Sequence, residues 1–227
     1  MPLPLMPSTQ SMSAQRAEYA GAHSQKSIEL FFYERVDAAS TFKLCNRLRE
    51  LDKRHPHVPH ITLRIQSNGG ILAYALLVVD TINQMRTPVH THVDGFAASA
   101  ATLISIAGER GHRSIHRHST MLIHEPRRTK YLGGTSSDMD IMNSNMQAAE
   151  HRIKAFYEMH TRLRGPALDA ELRRDLHLDA STCLAYGLVD HVIENTHEAP
   201  YFTDKLISDE ADVNGFPLGI TADGRVM

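Results

Sequence analysis

The stretch PVHTHVDGFAASAATLISIAG, residues 88–108, decides the fold because it joins a strand to a helix through a turn of very small residues. Pro88 begins a run through Val93 that predicts a strand. The alanine-rich segment from Ser99 to Ala107 predicts a short helix. A loop of glycine and alanine therefore enters a helix at Ser99, which places a lone hydroxyl at the positive end of that helix.

Strands and helices alternate on both sides of this stretch. The alternating Ile61, Leu63 and Ile65 predict a half-buried strand, and the sequence SNGG that follows is typical of a turn. This alternation predicts a layered α/β domain with mostly parallel strands. The other predicted elements are a strand at 28–33, a helix at about 38–53 that buries Phe42, Cys45, Leu48 and Leu51, a helix at about 71–86, and a short strand at 120–126 that contains His124.

A longer helix is predicted from Asp138 to Leu163, with Thr135, Ser136 or Ser137 available to cap it. Its apolar residues recur at steps of three and four, which is the spacing of a heptad seam. Such a stripe packs against the core of its own domain or forms a contact between subunits, and the first alternative is favoured. The stripe consists of Met142, Met146, Ala149, Ile153, Phe156, His160 and Leu163.

Composition limits the classes of partner. The 227 residues include 24 Lys and Arg against 26 Asp and Glu, a net charge of −2. No broad basic surface for nucleic acid or acidic lipid is therefore expected. Two cysteines, Cys45 and Cys183, are too few for a disulfide framework and indicate buried thiols in a reducing compartment.

The chain is long enough for one sizeable domain between two tails. Residues 1–26 are expected to be a mobile arm or a removable leader. Residues 27–197 are expected to form the domain, and residues 198–227 are expected to form a weakly structured tail. No run approaches the roughly 18 apolar residues of a membrane span, and the opening sequence lacks the pattern of a secretion signal. A cytoplasmic protein without membrane contact is therefore predicted.

Ser99 is the candidate nucleophile, and a serine needs a base that reaches it from another element. His124 suits this role because it ends an apolar strand, at a sheet edge where ligands of α/β proteins usually lie. A carboxylate must then hold the imidazole tautomer. On spacing alone, three aspartates remain open for it: Asp169, Asp175 and Asp179.

An oxyanion requires two N–H donors close to the serine. The amide of Ala100 follows Ser99 directly at the start of the predicted helix. The Gly69–Gly70 pair offers a second amide that no Cβ obstructs, which suits close approach of a substrate carbonyl. Each of these signals is weak when it stands alone, since a serine among alanines or a Gly-Gly turn is usually structural.

Four segments in this order, QSNGG, GFAASA, MLIHEP and RRDLHLDASTCLAYGLVDHVI, resemble the proteolytic subunit of the Clp protease. The resemblance covers roughly residues 28–195. Ser99 follows Gly70 by 29 residues and precedes His124 by 25 residues, as in that family. The resemblance implies the layered α/β fold of the ClpP/crotonase superfamily, with repeated ββα units and a protruding handle helix.

The resemblance also implies the roles of five residues. Ser99 corresponds to the nucleophile and His124 to the general base. Counting back from YGLVD places the family's aspartate at Asp175, and the amides of Gly70 and Ala100 correspond to the oxyanion-hole donors. The implied partners are unfolded proteins or peptides, further copies of the chain in a heptamer or double heptamer, and an AAA+ unfoldase. No cofactor is implied for this subunit.

Three departures from the family pattern concern regulation rather than chemistry. Asn68 stands where the family turn has proline, and asparagine tolerates turn geometry. Phe96 replaces the usual glutamine. The segment EPRRTKYLGG after His124 is about two residues longer than in the family and carries Arg127, Arg128 and Lys130, which puts substrate preference and ring pairing in question.

Other interpretations compete with the peptidase. A crotonase-type acyl-CoA enzyme shares the fold and the two-amide oxyanion hole, and a non-catalytic ring subunit shares the assembly. Histidines cluster in HPHVPH, HTH and HRSIHRH, but their spacing along the chain matches no common metal motif, so no metal site is predicted. Arg110, Arg113 and Arg117 are expected to form a solvated basic face.

Overall fold

The computed structural model describes residues 27–127 and 135–194. These described residues belong to one compact unit. The predictions for residues 1–26 and 198–227, and those for Arg128 and Lys130, lie outside the described residues. No helix in the described ranges is long and apolar enough to span a membrane.

Strands and helices alternate along the described residues, as the sequence predicts. The strands are β1 (Ile28–Phe32), β2 (Ile61–Ser67), β3 (Val89–Ala98), β4 (Arg113–His116), β5 (Thr120–Leu122), β6 (His177–Asp179) and β7 (His191–Ile193). The helices are α1 (Ala38–Arg54), α2 (Leu72–Asn83), α3 (Ala100–Ile106), α4 (Ser136–His160), α5 (Gly165–Arg174) and α6 (Ala180–Tyr186).

The sheet is mostly parallel. Its main path runs β1-β2-β3-β4-β7, with every neighbouring pair parallel. Strand β5 adds to β3 in parallel, and β6 pairs with β5 in antiparallel orientation. The layered α/β class predicted from the alternation is confirmed.

Strand β3 is bent at Gly95, and its two halves have different neighbours. Residues 91–93 pair with β4, whereas residues 96–98 pair with β5. The β2–β3 register shifts between Ile65 and Ser67, at the level of the bend. Gly95 has φ 69°, a conformation that L-residues rarely adopt. The two halves of β3 are thus equivalent to two consecutive strands. Together with α3, which follows them, they form a ββα unit.

Helix α1 buries Cys45, Leu48 and Leu51 as predicted, but the prediction for Phe42 is wrong. Its side chain is 64% exposed, and Leu44 is buried instead. The buried face of the first turn is filled by Ser40 and Thr41. Phe42 precedes Leu51 by nine residues, which at 3.6 residues per turn is two and a half turns, so the two side chains lie on opposite faces and Phe42 points to solvent. Both cysteines are free and buried.

Helix α4 begins where the capping residues predict. Thr135 accepts a hydrogen bond from the amide of Asp138, and the Asp138 side chain accepts one from the amide of Thr135. Along its apolar stripe only Ile153 is buried within the helix, and residues 136–152 bury no side chain. The first half of α4 is therefore exposed, as expected for a protruding helix.

The prediction of a solvated basic face is wrong for Arg113. This side chain is buried at the start of β4 and forms a two-pronged ion pair with Asp190, at 2.9 and 2.6 Å. It also donates to the carbonyl of His160 at 3.0 Å. Arg113 thus connects β4 to the end of α4 and to the loop before β7, whereas Arg110 and Arg117 are exposed.

Candidate active site

Ser99 occupies a strained turn between β3 and α3. Its φ of 55° and ψ of −126° lie outside the regions that non-glycine residues favour. The amide of Ser99 donates to the carbonyl of Leu122 at 2.7 Å, and its own carbonyl accepts from Thr102 N at 3.0 Å and Thr102 Oγ1 at 2.6 Å. Its hydroxyl makes no hydrogen bond within the described residues, so it remains available for chemistry.

The SNGG turn packs directly against the Ser99 turn, and both glycines are required by space. A Cβ on Gly69 would lie 2.4 Å from Ala98 O and 2.9 Å from Ala100 N. A Cβ on Gly70 would lie 2.1 Å from Val36 O. Neither the Gly70 amide nor the Ala100 amide donates a hydrogen bond to any residue that the structure describes. Two open N–H donors therefore lie beside the serine turn.

His124 lies at the same edge of the sheet as Ser99. Strands β3 and β5 pair in parallel with Ala98 opposite Leu122, so both side chains follow the carboxyl ends of neighbouring strands. The imidazole is half-buried, and its Nδ1 is 2.5 Å from the carbonyl oxygen of Glu125. If Nδ1 carries the proton, this bond leaves Nε2 as the basic nitrogen.

The β5–β6 register distinguishes the three aspartates. Thr120 pairs with Asp179 and Leu122 with His177 in the antiparallel ladder. Continuing that register by two residues brings Asp175 opposite His124, whereas Asp179 lies opposite the far end of β5.

The other two aspartates have structural roles. The Asp179 side chain caps α6 by accepting from Thr182 N at 2.7 Å. Asp169 forms an ion pair with Lys154 at 2.8 Å. Asp175 itself ends α5 in a left-handed conformation, with φ 52°.

Ser99 and His124 thus lie at one edge of the sheet, but no hydrogen-bonded triad is formed. Among the described residues, His124 has no hydrogen bond to Ser99 or to Asp175. The Asp175 carboxylate instead forms an ion pair with Arg127.

The segment after His124 is attached to the end of α5. The amide of Glu125 donates to Leu172 O at 3.1 Å, and the Glu125 side chain pairs with Arg173 at 3.3 Å. Together with the Arg127–Asp175 pair, these contacts are largely exposed. Exposed ion pairs contribute about 0–1 kcal/mol each, so this attachment is easily exchanged for another.

Sequence reasoning missed a buried tyrosine behind the serine turn. Tyr157 of α4 is fully buried, and its hydroxyl lies 2.6 Å from Thr102 Oγ1, which donates to the carbonyl of Ser99. Burial raises the pKa of Tyr157 above its ordinary value. The only signal along the chain is that Tyr157 follows the buried Ile153 by one helical turn.

The profile of the Clp protease family matches residues 14–196, most of the chain and all five predicted site residues. The chain belongs to the Clp protease family. Members of this family are serine-type peptidases, so the protein is a hydrolase. The "ATP-dependent Clp protease proteolytic subunit 1" of Protochlamydia amoebophila (strain UWE25) is 29% identical over 188 residues, 83% of this chain and 89% of that protein.

A second relative in the Clp protease family, from Nocardia farcinica (strain IFM 10152), is an "ATP-dependent Clp protease proteolytic subunit 2". It is 28% identical over 170 residues, 75% of this chain and 82% of that protein. Phe96, the departure nearest the serine, is half-buried and pairs with Thr120 across the sheet. Nothing in the structure explains why it replaces the glutamine of the family.

Proposed function

We propose that this protein is the proteolytic subunit of an ATP-dependent Clp-type protease, an endopeptidase that hydrolyses peptide bonds in unfolded proteins and peptides. The proposed triad is Ser99, His124 and Asp175. The observation that carries the proposal is the strained turn at Ser99, with two open amides beside it and His124 at the same sheet edge.

The proposed reaction proceeds through an acyl-enzyme. Ser99 Oγ attacks the scissile carbonyl while His124 Nε2 takes the hydroxyl proton. The amides of Gly70 and Ala100 donate to the oxyanion, and one such donor is worth about 3 kcal/mol in other hydrolases. His124 then passes the proton to the leaving amine. Water, activated by the same imidazole, releases the acyl group.

Asp175 acts on His124 in this proposal after a local exchange of partners. His124 Nδ1 leaves the carbonyl of Glu125 and donates to Asp175, whose carboxylate leaves Arg127. The Arg127–Asp175 pair is exposed, so its loss costs about 1 kcal/mol or less. Catalytic hydrogen bonds often tighten only when substrate is bound, and the β5–β6 register supports Asp175 over Asp169 and Asp179.

The proposal includes assembly with further copies of the chain into a heptamer or double heptamer, working with an AAA+ unfoldase in the cytoplasm. Support comes from the printed names of both relatives and from the exposed first half of α4. ATP is used by the unfoldase, and this subunit needs no cofactor for the hydrolytic step. Family membership favours this function over the acyl-CoA enzyme. The presence of Ser99, His124 and Asp175 together favours it over a non-catalytic subunit, which needs none of the three.

A fluorophosphonate tests the proposed nucleophile. The purified protein is expected to form one adduct, which peptide mapping locates at Ser99, because the reagent needs an activated serine. Ser99→Ala should abolish labelling, and His124→Ala should slow it by at least about a hundredfold. Ser137→Ala, at an exposed position on α4, is the matched control and should label like the wild type. Labelling that persists in Ser99→Ala would refute the proposal.

A further inference from the structure

One face of the sheet carries histidines that the peptidase chemistry does not use. They come from segments that are far apart in sequence, and they line a cavity of about 380 Å³. The rings of three of them form a stack, with centroid distances of 3.9 and 4.0 Å. This histidine cluster consists of His60, His90, His92, His112 and His116.

The cluster lies away from the proposed active site. His90 stands near the start of β3, and Ser99 follows the end of that strand. Nine residues of chain span at most roughly 30 Å, and the six residues from His90 to the bend at Gly95 alone hold the two ends well apart. A ligand at His90 would therefore not contact the reacting groups at Ser99.

Two histidines that line this cavity, His90 and His112, form a set of metal ligands with the neighbouring Glu109. One nitrogen of His90, one of His112 and a carboxylate oxygen of Glu109 lie within 4.8 Å of one another. His90 Nε2 is 3.0 Å from Glu109 Oε2. This contact is a hydrogen bond, which a bound ion would replace. The His90 and His112 rings stack in parallel, so the His112 ring turns when both bind one ion. We propose that His90, Glu109 and His112 bind a divalent transition-metal ion of the zinc class, with water at the fourth position.

The donor types decide the class of ion. Two imidazoles and one carboxylate suit Zn²⁺ and its first-row neighbours, whereas Mg²⁺ and Ca²⁺ prefer oxygen ligands alone. The carboxylate of Glu109 also offsets part of the charge of the ion. Glu109 and His112 are exposed, so an ion can enter and the His112 ring can turn its nitrogen toward it.

The backbone holds the three residues together without an ion. The amide of Glu109 donates to Val89 O at 2.8 Å, which fixes Glu109 beside the start of β3. The amide of His112 donates to Glu109 O at 3.0 Å and closes a tight turn. Gly111 N donates to the Asp190 carboxylate at 2.7 Å. Because these bonds order the backbone in advance, binding an ion costs conformational entropy only in the side chains.

A second group, His92, Asp94 and His116, also has ligand atoms close together, but its carboxylate is already in use. Arg64 donates to both oxygens of Asp94, at 2.8 and 2.7 Å, and Tyr33 donates to one of them at 2.5 Å. The Arg64 guanidinium also lies 3.4 Å from His116 Nε2. A cation there would meet a fixed positive charge, so the ion is assigned to His90, Glu109 and His112.

Cobalt and zinc titrations of the chelator-treated full chain test the site. Co²⁺ should bind with the visible absorption spectrum of a nitrogen- and oxygen-ligated ion, and Zn²⁺ should displace it. His112→Ala and Glu109→Gln should each weaken Zn²⁺ binding in calorimetry by at least about tenfold. His118→Ala removes an exposed histidine of the same segment and should bind like the wild type.

His116→Ala separates the two groups of ligands. Unchanged affinity in this variant, with loss in His112→Ala, supports the assignment. Weaker Zn²⁺ binding in His116→Ala alone would place the ion in the second group and overturn the assignment. Equal Zn²⁺ affinity in every variant would overturn it as well. Fluorophosphonate labelling at Ser99 monitors the folding of each variant. If the wild type is not labelled, that result contradicts the proposed peptidase activity, but the metal titrations still test the metal site.

Discussion

Asp175 is the carboxylate of the proposed triad. In the structure it pairs with Arg127. Only a continuation of the β5–β6 ladder, two residues beyond its last pair of Leu122 and His177, leads from Asp175 to His124. Both side chains of the ion pair are substantially exposed, so the pair is weak and sensitive to salt. Arg127 belongs to the segment in which this chain departs from the family pattern. We infer that Arg127 competes with His124 for Asp175 and lowers the fraction of active enzyme.

Arg127→Gln is therefore expected to raise kcat/KM for a short fluorogenic peptide by up to about fivefold. This factor corresponds to the free energy that an exposed ion pair contributes, about 1 kcal/mol. Raising the ionic strength should increase wild-type activity toward that of the variant, because salt screens the pair. Arg173→Gln removes an equally exposed ion pair, with Glu125, and should have a smaller effect. A fall in activity for Arg127→Gln would contradict the competition.

At the scale of elements, two contacts hold the C-terminal end of α4, one to helix α3 and one to the sheet. Tyr157 reaches Thr102 of α3 and, through it, the carbonyl of Ser99. Arg113 of β4 reaches the carbonyl of His160 at the end of the same helix and pairs with Asp190. The exposed half of α4 is thus connected to the serine turn through buried polar groups. Each contact can be removed without changing the size of the core.

Tyr157→Phe should destabilise the protein by about 1 kcal/mol, the usual contribution of one hydrogen bond. We also expect kcat to fall while KM stays unchanged, because the Ser99 turn loses support but the peptide-binding surface is untouched. Urea unfolding and steady-state kinetics measure the two effects. Tyr186→Phe, which removes a half-buried bond to Glu171, is the control and should leave kcat unchanged. Equal kinetics for both variants would exclude a positioning role for Tyr157.

Asp190→Asn should lower the free energy of unfolding by about 3 kcal/mol, because it leaves the buried Arg113 without its partner charge. Burial alone would raise the pKa of Asp190, but the hydrogen bonds from Arg113 and Gly111 hold it below its ordinary value of 3.8. The stabilisation is therefore present above about pH 4 and is lost as the pH falls through the lower pKa of the folded state.

Urea unfolding at about pH 6 and about pH 3 checks this pH dependence. The difference in stability between the wild type and Asp190→Asn should shrink at the lower pH. Asp169→Asn removes an exposed aspartate paired with Lys154, and little change in stability is expected at pH 6. A constant difference between the wild type and Asp190→Asn would show that Asp190 is not the titrating group.

At the scale of the whole molecule, the first half of α4 offers apolar side chains to solvent. Met139 and Ile141 are 59% and 58% exposed, and residues 136–152 bury no side chain. An exposed apolar surface of this kind is typical of a subunit contact. It suits the proposed ring assembly, in which neighbouring copies would cover this half of the helix.

Sedimentation of the full chain at micromolar concentration should therefore give a multimer, with reductant present. Ile141→Glu should shift the distribution toward smaller species, because it puts a charge into an apolar contact. Ser144→Glu adds the same charge to a polar exposed position of α4 and is the matched control. A wild-type protein that sediments only as a monomer would refute the ring.

Local patterns determined the order of elements and part of the candidate site. Alternating apolar residues identified β2, and the small residues around Ser99 identified the turn. The three candidate caps, Thr135, Ser136 and Ser137, located the start of α4 to within two residues. These features depend on residues within a few positions of one another. The prediction for Phe42 failed because repeated steps of three residues drift around a helix of 3.6 residues per turn, and Phe42 ends up opposite Leu51.

The sequence by itself therefore determined the α/β class and the place of Ser99 and His124 at the ends of strands. Only the tertiary structure decided which side chains separated along the chain would meet: Tyr157 with Thr102, Arg113 with Asp190, Arg127 with Asp175, and His90 with Glu109 and His112. The physical reason is the separation along the chain over which each interaction acts. Backbone periodicity and capping act over a few residues, whereas ion pairs and ligand sets arise from the packing of elements whose separation along the chain carries no pattern.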